Sequence, residues 1–310
     1  MDVSTATAKT KEAAPGSVAG GLLRLMRLKQ WTKNLFVFAA PLFVLDKLPP
    51  GAWPLILLTF AAMCLISSST YILNDVLDVE HDRQHPIKKS RPIAAGTVPV
   101  GFALAVALVL FAGGLALAGT AGRDVLGGVG VYLGLQVLYN LVGRRVPVLD
   151  VFLISLGFVV RAVLGAVAIN VPISSWLLLC TGALALLLGF GKRRHEFILQ
   201  AGNTRSRKTL EGYNRAVLDN FLVMTALGAA ISYAVYAIQS KNAIEHPGLI
   251  LSTPFVFYAI FRYIYVVFAT DEGGEPESLL FRDPHIVASI VLFVVSIILA
   301  MSGLKMEFLN

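Results

Sequence analysis

Charged residues and cysteines are scarce in this chain. Of its 310 residues only 15% are charged and two are cysteines, whereas 56% are hydrophobic and the mean hydropathy is +0.73. Soluble domains are about 25% charged and about 45–50% apolar, so the composition disfavours a soluble globular protein. Two cysteines are too few for a disulfide scaffold, and the 27 glycines show no collagen period. The fold class that remains is an all-α polytopic membrane protein.

A signal peptide is also missing from the N-terminal segment. Residues 1–20 are small and polar, with no apolar stretch ahead of a cleavage site. This pattern is typical of a disordered cytoplasmic tail. We expect residues 21–310 to form a single transmembrane domain.

Long uncharged stretches occupy most of that domain. A helix that crosses a hydrocarbon core of roughly 30 Å needs about 20 mostly apolar residues. The turn-like segment 170–175 separates the fifth stretch from the sixth. An eight-helix arrangement is the alternative to the nine transmembrane helices that we predict at 31–47, 50–73, 98–121, 125–143, 148–169, 173–191, 217–239, 249–269 and 285–304.

The basic residues distinguish these two arrangements, because Lys and Arg concentrate in cytoplasmic loops. With nine spans and a cytoplasmic N-terminus, 20 of the 26 Lys and Arg residues fall on the cytoplasmic side and four outside. The other two, Arg161 and Arg262, fall within spans. Eight spans would mix the two sides. We therefore expect nine spans in a cytoplasmic (inner) membrane.

Acidic side chains gather where the second predicted span ends. If the helix continues, Asn74, Asp78 and Asp82 recur every four residues, and Asp75 lies on the same stripe. Like charges so placed destabilise a helix, and a bound cation would relieve the repulsion. Oxygen ligands suit Mg²⁺, which takes one or two carboxylates plus phosphate oxygens and water. A solvated acidic turn is the alternative. We call these four residues the acidic stripe.

Basic residues follow the acidic stripe directly. Lys and Arg beside carboxylates that hold Mg²⁺ form a clamp for a diphosphate, which makes Arg83, Lys89 and Arg91 candidate phosphate contacts. For Arg83 and Arg91 topological anchoring is equally plausible, and for Lys88 and Lys89 alone it is sufficient. The chain has no evident Ser/His/Asp or Cys/His arrangement, and its five histidines lack zinc-ligand spacing.

These motifs resemble a known family. The chain is similar to the UbiA superfamily of intramembrane prenyltransferases over residues 21–304, in three motifs: Asn74-Asp75-x-x-Asp78-x-x-x-Asp82 at the end of a second span, Arg27-x-x-Gln30-Trp31-x-Lys33-Asn34 at the start of the first helix, and Arg91-Pro92-Ile93-Ala94-Ala95-Gly96. The resemblance implies a UbiA-like fold with its active site facing the cytoplasm and Mg²⁺ as cofactor.

The loop predicted after the sixth span, 192–216, departs from that family. Typical members carry a second Asp-rich motif there, which binds a second Mg²⁺ and a prenyl diphosphate. This chain has Gly191-Lys192-Arg193-Arg194-His195-Glu196, in which only Glu196 could serve as a carboxylate ligand. Three cations suit a substrate that carries a further phosphate. A basic stop at the end of a span is the alternative.

The replacement resembles the decaprenyl-phosphate phosphoribosyltransferase subgroup, whose donor is 5-phosphoribosyl-1-diphosphate. The shared segments are Gly191-Lys192-Arg193-x-x-Glu196, Arg207-Lys208-x-Leu210-Glu211-x-Tyr213, Gly274-Glu275-Pro276-Glu277 with Arg282-Asp283, and Pro172-Ile173-Ser174-x-Trp176. The resemblance implies transfer of 5-phosphoribosyl to a polyprenyl phosphate with release of diphosphate, for arabinan precursors of the cell wall. A UbiA-type prenyltransferase with an aromatic acceptor is the first alternative, and a transporter is the second.

The resemblance also implies a set of site residues. It makes Asp75, Asp78 and Asp82 catalytic and Asn74, Asp78 and Asp82 ligands of Mg²⁺. The predicted substrate contacts are Lys33, Arg83, Lys89, Arg91, Tyr139, Arg144, Asp150, Arg161, Lys192, Arg193 and Glu196. A buried structural role is the alternative for Arg161, and an interfacial aromatic belt is favoured for Tyr139. The expected partners are the donor, the lipid phosphate and the bilayer, without nucleic acid, and a homo-oligomer is left open.

Overall fold

The computed structural model describes residues 18–84, 88–200, 208–269 and 276–302. Every regular element in these ranges is helical, as the composition predicted. The predicted tail at 1–20 lies almost wholly outside the described residues. In chain order the α-helices are α1 (Val18–Leu25), α2 (Ala39–Leu42), α3 (Ala52–Leu77), α4 (Val79–Gln84), α5 (Val100–Ala121), α6 (Arg123–Leu141), α7 (Leu149–Ala168), α8 (Ser175–Gln200), α9 (Arg215–Gln239), α10 (Lys241–Glu245), α11 (Thr253–Ala269), α12 (Pro276–Arg282) and α13 (Pro284–Met301). The 3₁₀ segments are Leu28–Phe38, Leu45–Lys47, Lys88–Ser90, Gly143–Arg145, Lys208–Gly212 and Pro247–Ser252.

Eight helical segments of the described chain are long and apolar enough to cross a membrane. Each matches one of the predicted spans, and the protein is an integral, multi-pass membrane protein. The predicted break at 170–175 is confirmed, because α7 ends at Ala168, α8 begins at Ser175 and Asn170 has a φ of 54°. The eight segments are Ala52–Leu77, Val100–Ala121, Arg123–Arg145, Leu149–Ala168, Ser175–Leu199, Arg215–Gln239, Pro247–Ala269 and Pro284–Met301.

The first predicted span, 31–47, is not among these eight. The chain there forms the 3₁₀ segment Leu28–Phe38, the short helix α2 and the 3₁₀ segment Leu45–Lys47. Pro41 has no backbone N–H to donate, and the polar run at 32–34 contributes little apolar surface. Both features work against one continuous span. The count of nine and the cytoplasmic N-terminus therefore remain predictions.

The chain divides into two compact units. The first comprises Met1–Lys29 and Leu65–Gly113, and the second comprises Gln30–Cys64 and Gly114–Asn310. In the first unit, Ser69 Oγ donates to the Ala107 carbonyl at 2.8 Å and Ser68 Oγ to the Met26 carbonyl at 2.7 Å. Lipid is as apolar as the surface of a neighbouring helix, so apolar burial does little to hold transmembrane helices together. Hydroxyl hydrogen bonds of this kind help to join them. They hold the end of α3 against α5 and the end of α1. The core of this unit comprises Leu25, Ile72, Ile93, Val98, Ala103 and Ala107.

The second unit contains most of the transmembrane helices. Its largest core cluster lies among α7, α8, α9, α11 and α13. Two glycines allow close packing: a Cβ on Gly165 of α7 would collide with the Val37 carbonyl, and one on Gly191 of α8 with the Tyr263 hydroxyl. Small residues at such positions let transmembrane helices approach closely. The contact at Gly165 fixes α7 against the Leu28–Phe38 segment.

Helix α8 extends further than predicted. It runs to Gln200, so Lys192 and Glu196 lie on its last turns and not in a loop that begins at 192. The apolar part of α8 ends near the basic residues. The helix itself continues beyond them, because the ion pairs of these basic side chains are compatible with helical backbone. The basic segment is therefore attached rigidly to the core of the second unit.

Candidate active site

The helix continues through the acidic stripe, as predicted. Although α3 ends at Leu77 and α4 begins at Val79, the Asp78 N–H donates to the Asn74 carbonyl at 2.9 Å. The Asp82 N–H donates in turn to the Asp78 carbonyl at 2.8 Å. Helical hydrogen bonding thus passes through the junction without a change of register.

All four members of the acidic stripe lie on the less exposed side of this helix. Asp75 and Asp82 are buried, and Asn74 and Asp78 are half-buried. Leu77, between them in sequence, is 78% exposed. The carboxylates are therefore held away from bulk water, where a charge that lacks a partner is costly.

Two arginines of the same unit neutralise the buried carboxylates. Arg91 Nη1 donates to Asp75 Oδ1 at 3.0 Å and to Asp82 Oδ2 at 2.6 Å. Arg27 Nη2 donates to Asp75 Oδ1 at 2.5 Å, and its guanidinium lies 5.1 Å from the centroid of the Tyr71 ring. Arg91 was among the predicted site residues. Arg27 was not, although it belongs to the motif that precedes the first predicted span.

One oxygen of the acidic stripe has no partner within the described part of the chain. Asp82 Oδ1 is buried and accepts no hydrogen bond from the described residues, whereas Oδ2 is bound by Arg91. A buried polar atom left unsatisfied costs about 1–3 kcal/mol, so such an atom calls for an explanation such as an ion. The amide of Asn74 and the carboxylates of Asp78 and Asp82 offer hard oxygen ligands. These residues therefore fit Mg²⁺.

The described chain has no group of three His, Cys, Asp or Glu side chains placed to hold a metal ion. This does not exclude Mg²⁺, which usually takes only one or two carboxylates and completes its shell with water and substrate phosphates. The acidic stripe with its amide ligand matches that requirement better than it would match zinc or calcium.

The two other basic candidates of this unit lie on the surface. Arg83 Nη1 pairs with Glu80 Oε1 at 2.8 Å, and both side chains are exposed. Lys89 is exposed on the 3₁₀ segment Lys88–Ser90. The structure thus brings Arg91, but not Arg83, to the acidic stripe.

A second ionic cluster joins three of the predicted residues in the other unit. Arg193 Nε donates to Asp150 Oδ2 at 2.5 Å, and Arg193 Nη1 donates to Glu196 Oε2 at 2.5 Å. Arg193 is 2% exposed and Asp150 is fully buried, whereas Glu196 is 24% exposed. Asp150 opens α7 as predicted, and its partner is on α8.

Tyr213 completes this cluster, although it was not among the predicted site residues. Its hydroxyl donates to Asp150 Oδ1 at 3.0 Å and accepts from the Val148 N–H at 2.5 Å. Burial raises the pKa of Tyr213, and the Asp150 carboxylate raises it further, so the hydroxyl stays protonated. We call the series from Val148 N–H through Tyr213, Asp150 and Arg193 to Glu196 the buried hydrogen-bond chain.

The neighbouring Arg194 is turned the other way. Its Nε pairs with Asp219 Oδ1 of α9 at 2.6 Å, and its Nη1 donates to the Val267 carbonyl of α11 at 2.9 Å. The guanidinium also lies 4.6 Å from the centroid of the Phe268 ring. Arg194 therefore anchors α8 to two further helices, while Lys192 beside it is half-buried.

Arg161 lies in a separate buried network. Its Nε donates to Asn34 Oδ1 at 2.8 Å and its Nη2 to the Tyr132 hydroxyl at 3.1 Å. The guanidinium is 4.7 Å from the centroid of the Tyr132 ring and 5.3 Å from that of Phe158. These contacts are all with groups of the protein itself, and the predicted contact of Arg161 with substrate remains a prediction.

The remaining candidates lie on several different elements. Lys33, Tyr139 and Arg144 are half-buried, and the Arg144 carbonyl accepts from Thr209 Oγ1. Arg262 pairs with Asp283 at 2.9 Å. Of the subgroup's motif residues, Arg207, Gly274 and Glu275 lie outside the described residues, and so do the side chains of Lys208 and Glu277.

Comparison with solved structures identifies the fold. A UbiA homologue from Archaeoglobus fulgidus, bound to GPP and Mg²⁺, superposes with a TM-score of 0.69 at 16% identity, covering 91% of this chain and 99% of that one. The apo structure of a UbiA homologue from Aeropyrum pernix gives a TM-score of 0.65 at 18% identity, covering 87% and 98%.

Sequence comparison gives nearer relatives. A decaprenyl-phosphate phosphoribosyltransferase of Corynebacterium glutamicum is 34% identical in an alignment that covers 94% of this chain and 89% of that protein. One of Mycolicibacterium smegmatis is 33% identical in an alignment that covers 87% of this chain and 88% of that protein. The model of the UbiA prenyltransferase family matches residues 35–283. This chain therefore belongs to the UbiA prenyltransferase family.

Proposed function

We propose that the protein transfers the 5-phosphoribosyl group from 5-phosphoribosyl-1-diphosphate to a polyprenyl phosphate and releases diphosphate. The observation that carries this proposal is the one-third identity to decaprenyl-phosphate phosphoribosyltransferases along nearly their whole lengths. Lys192 on the last turns of α8 supports it, because a prenyl diphosphate donor has no second phosphate for such a cation to bind. By the same analogy the acceptor is decaprenyl phosphate and the product supplies arabinan synthesis.

The reaction replaces one C1–O bond of the ribosyl group by another. The bond from C1 to the diphosphate breaks, diphosphate leaves with the electron pair, and an oxygen of the lipid phosphate bonds to C1. A phosphomonoester has a second pKa of about 6, so the nucleophile is already an anion at neutral pH. No general base is required, which agrees with the lack of an evident catalytic triad in the sequence.

The acidic stripe is the proposed metal site. Asn74, Asp78 and Asp82 would hold Mg²⁺, which neutralises charge on a departing diphosphate. Asp75 supports the site through its ion pairs with Arg27 and Arg91. Arg91 also supplies positive charge for the diphosphate oxygens, and nearby carboxylates stabilise positive charge that develops on the ribosyl ring.

Lys192 is the proposed contact for the 5-phosphate. Lys192 is half-buried, whereas Arg193 and Arg194 beside it are buried and pair with Asp150 and Asp219. The donor is a water-soluble anion of the cytoplasm, whereas the acceptor is a membrane lipid. We therefore assign the protein to the inner membrane, with its active site open to the cytoplasm.

One assay tests the proposal. Purified protein receives Mg²⁺, labelled 5-phosphoribosyl-1-diphosphate and decaprenyl phosphate, and the expected product is a labelled lipid formed together with diphosphate. In a parallel reaction, a prenyl diphosphate and an aromatic acceptor replace both substrates. Consumption of the prenyl diphosphate without formation of the labelled lipid would refute the proposal and favour the prenyltransferase alternative.

A further inference from the structure

Glu196 lies at the solvent-accessible end of the buried hydrogen-bond chain. Asp150, Arg193 and Tyr213 are at most 6% exposed, whereas the Glu196 side chain is 24% exposed. Glu196 Oε2 is held by Arg193 at 2.5 Å, and Arg193 is held in turn by Asp150. The buried hydrogen-bond chain therefore ties the orientation of the accessible Glu196 carboxylate to three buried side chains.

The chemistry of Glu196 limits what it can bind. An ionised carboxylate is an acceptor only, so its ligand must donate a hydrogen bond or be a cation. A phosphate oxygen is excluded, because two anions would repel each other. A metal ion gains less here than at the acidic stripe, because Arg193 already neutralises Glu196 at 2.5 Å, whereas Asp82 offers a buried oxygen that accepts no hydrogen bond from the described residues. Neutral hydroxyl groups remain as the best match.

The proposed donor carries hydroxyl groups at one place only. Its phosphate and diphosphate are acceptors at neutral pH, whereas the 2- and 3-hydroxyls of the ribosyl ring donate. We propose that Glu196 accepts hydrogen bonds from these ribosyl hydroxyls, and that Arg193 and Tyr213 are positioning residues that hold it in place. This inference rests on the proposed function and names the group that selects the donor.

Selection follows from the hydrogen bonds that an analogue without the hydroxyl cannot make. Glu196 keeps its ion pair with Arg193, but a site built to bind a hydroxyl rejects an analogue that lacks it, because the hydrogen bond to the substrate is lost. The hydrocarbon chain of a prenyl diphosphate has no hydroxyl to offer. Glu196 would therefore discriminate against prenyl donors as well as against deoxyribosyl donors.

The experiment compares three donors: 5-phosphoribosyl-1-diphosphate and its 2-deoxy and 3-deoxy analogues. The kcat/KM for each is measured in the native protein and in Glu196→Ala, Tyr213→Phe and Glu245→Gln. Glu245 is the matched control, because it also pairs with a basic residue, Lys47, but on the exposed helix α10. Intrinsic differences in donor reactivity cancel when the ribosyl-to-deoxyribosyl ratio is compared between proteins.

We expect Glu196→Ala to lower the ribosyl-to-deoxyribosyl ratio by about 10- to 100-fold for at least one analogue, the worth of one or two charge-assisted hydrogen bonds. Tyr213→Phe keeps the ring and removes the hydroxyl, so the ratio should fall by a smaller factor. Glu245→Gln should leave the ratio at the native value. A purely structural role for Tyr213 would lower kcat/KM for all donors equally.

Three outcomes separate the possible failures. If no protein transfers any ribosyl donor while a prenyl donor reacts, the proposed function is wrong and this inference falls with it. If transfer occurs but Glu196→Ala keeps the native ratio, the inference alone is overturned. If Glu196→Ala does not fold, the Tyr213→Phe ratio decides, and an unchanged ratio in that folded variant counts against the inference.

Discussion

Arg91 donates from a single guanidinium nitrogen to two carboxylates of the acidic stripe, Asp75 and Asp82. A cation placed between two anions lowers their repulsion, and here a side chain provides that cation. Asp82 is nevertheless left with one unsatisfied oxygen. At the scale of single residues, the site is therefore only partly neutralised by the protein itself.

The metal ligands give the first prediction. Asp78→Asn and Asp82→Asn should each reduce transfer by about 100-fold or more, because an amide binds Mg²⁺ less well than a carboxylate does. Transfer is measured at saturating Mg²⁺ with labelled donor. Glu80→Gln on the same short helix is the control, and its rate should stay within about twofold. Equal losses in all three variants would indicate damage to the helix and not to a metal site.

The ion pair of Arg91 gives the second prediction, since a metal ion and Arg91 would compete for Asp82. Arg91→Gln should tighten the binding of Mn²⁺ without donor by about 10-fold, because the competing cation is removed. It should also weaken binding of the donor. Electron paramagnetic resonance of free Mn²⁺ measures the first effect. Arg83→Gln loses the same charge from an exposed pair and should change Mn²⁺ affinity little; equal tightening there would argue against local competition.

The site was predicted from the sequence only where its pattern is local. The spacing of Asn74, Asp78 and Asp82 showed a shared face, because helical periodicity acts over a few residues. The pair of Arg27 with Asp75 joins residues 48 apart, and that of Arg193 with Asp150 joins residues 43 apart. Such pairs depend on how helices pack, so the spacing of charges could not reveal them.

Asp283 belongs to the scale of secondary-structure elements, because it caps α13. Its Oδ1 accepts from the backbone N–H groups of His285 and Ile286, both at 3.0 Å. Arg262 of α11 donates to Oδ2 at 2.9 Å. The hydrogen bond from Arg262 lowers the pKa of Asp283 below its ordinary value, and the two backbone donors add to this effect. The carboxylate thus joins two transmembrane helices.

The lowered pKa of Asp283 gives the third prediction. A carboxyl with a lower pKa in the folded state stabilises the fold above its unfolded pKa, about 3.9, and loses this contribution as pH falls through the folded pKa. Thermal stability should therefore decrease below about pH 4. Asp283→Asn retains a helix cap but should weaken this decrease. Unfolding can be followed at each pH by far-UV circular dichroism, since every regular element of the described chain is helical. An unaltered pH profile in Asp283→Asn would contradict the assignment.

The packing of α7 on the 3₁₀ segment Leu28–Phe38 gives the fourth prediction. Gly165→Ala should lower the melting temperature by several degrees, because its Cβ would collide with the Val37 backbone. Gly134→Ala is the matched control, since nothing lies within 4 Å of its Cβ position on α6. It should be neutral or slightly stabilising, because alanine favours helix. Equal destabilisation by both would exclude close packing as the cause.

Among the elements, the eight long helices were predicted well. The stretch 31–47 was predicted as one helix, but it contains two 3₁₀ segments and the short helix α2. Length and hydropathy identify a helix that fills the hydrocarbon core, because both are properties of a continuous stretch. At 28–47, Asn34 is fully buried and binds Arg161 of α7 instead of completing an apolar span. Counting uncharged residues could not reveal that partner, so this segment was predicted as one helix.

At the scale of the whole molecule, composition predicted an all-α membrane protein and the structure confirms it. The single domain at 21–310 remains a prediction beside the two compact units. The boundary between compact units depends on tertiary packing, because it lies where contacts within the chain become sparse. Hydropathy along the sequence contains no signal for this boundary.

The sidedness of the protein gives the fifth prediction. The charge distribution puts Ser90 in the cytoplasm and Lys241 outside, and both side chains are exposed. In intact cells a membrane-impermeant maleimide should label Lys241→Cys and should label Ser90→Cys only after permeabilisation. The native chain controls for reaction at Cys64 and Cys180. The reverse pattern would overturn the inside location of the N-terminus together with the proposed cytoplasmic site.

Adjacent arginines on α8 hold that helix from two directions. Arg193 is bound to α7 through Asp150, and Arg194 is bound to α9 and α11 through Asp219 and the Val267 carbonyl. Neighbouring residues on a helix point about 100° apart, so these anchors oppose rotation of α8 about its own axis. The backbone positions of Lys192 and Glu196 are therefore fixed when a substrate arrives. Any movement of these two side chains by rotation of α8 would have to carry α7, α9 and α11 with it.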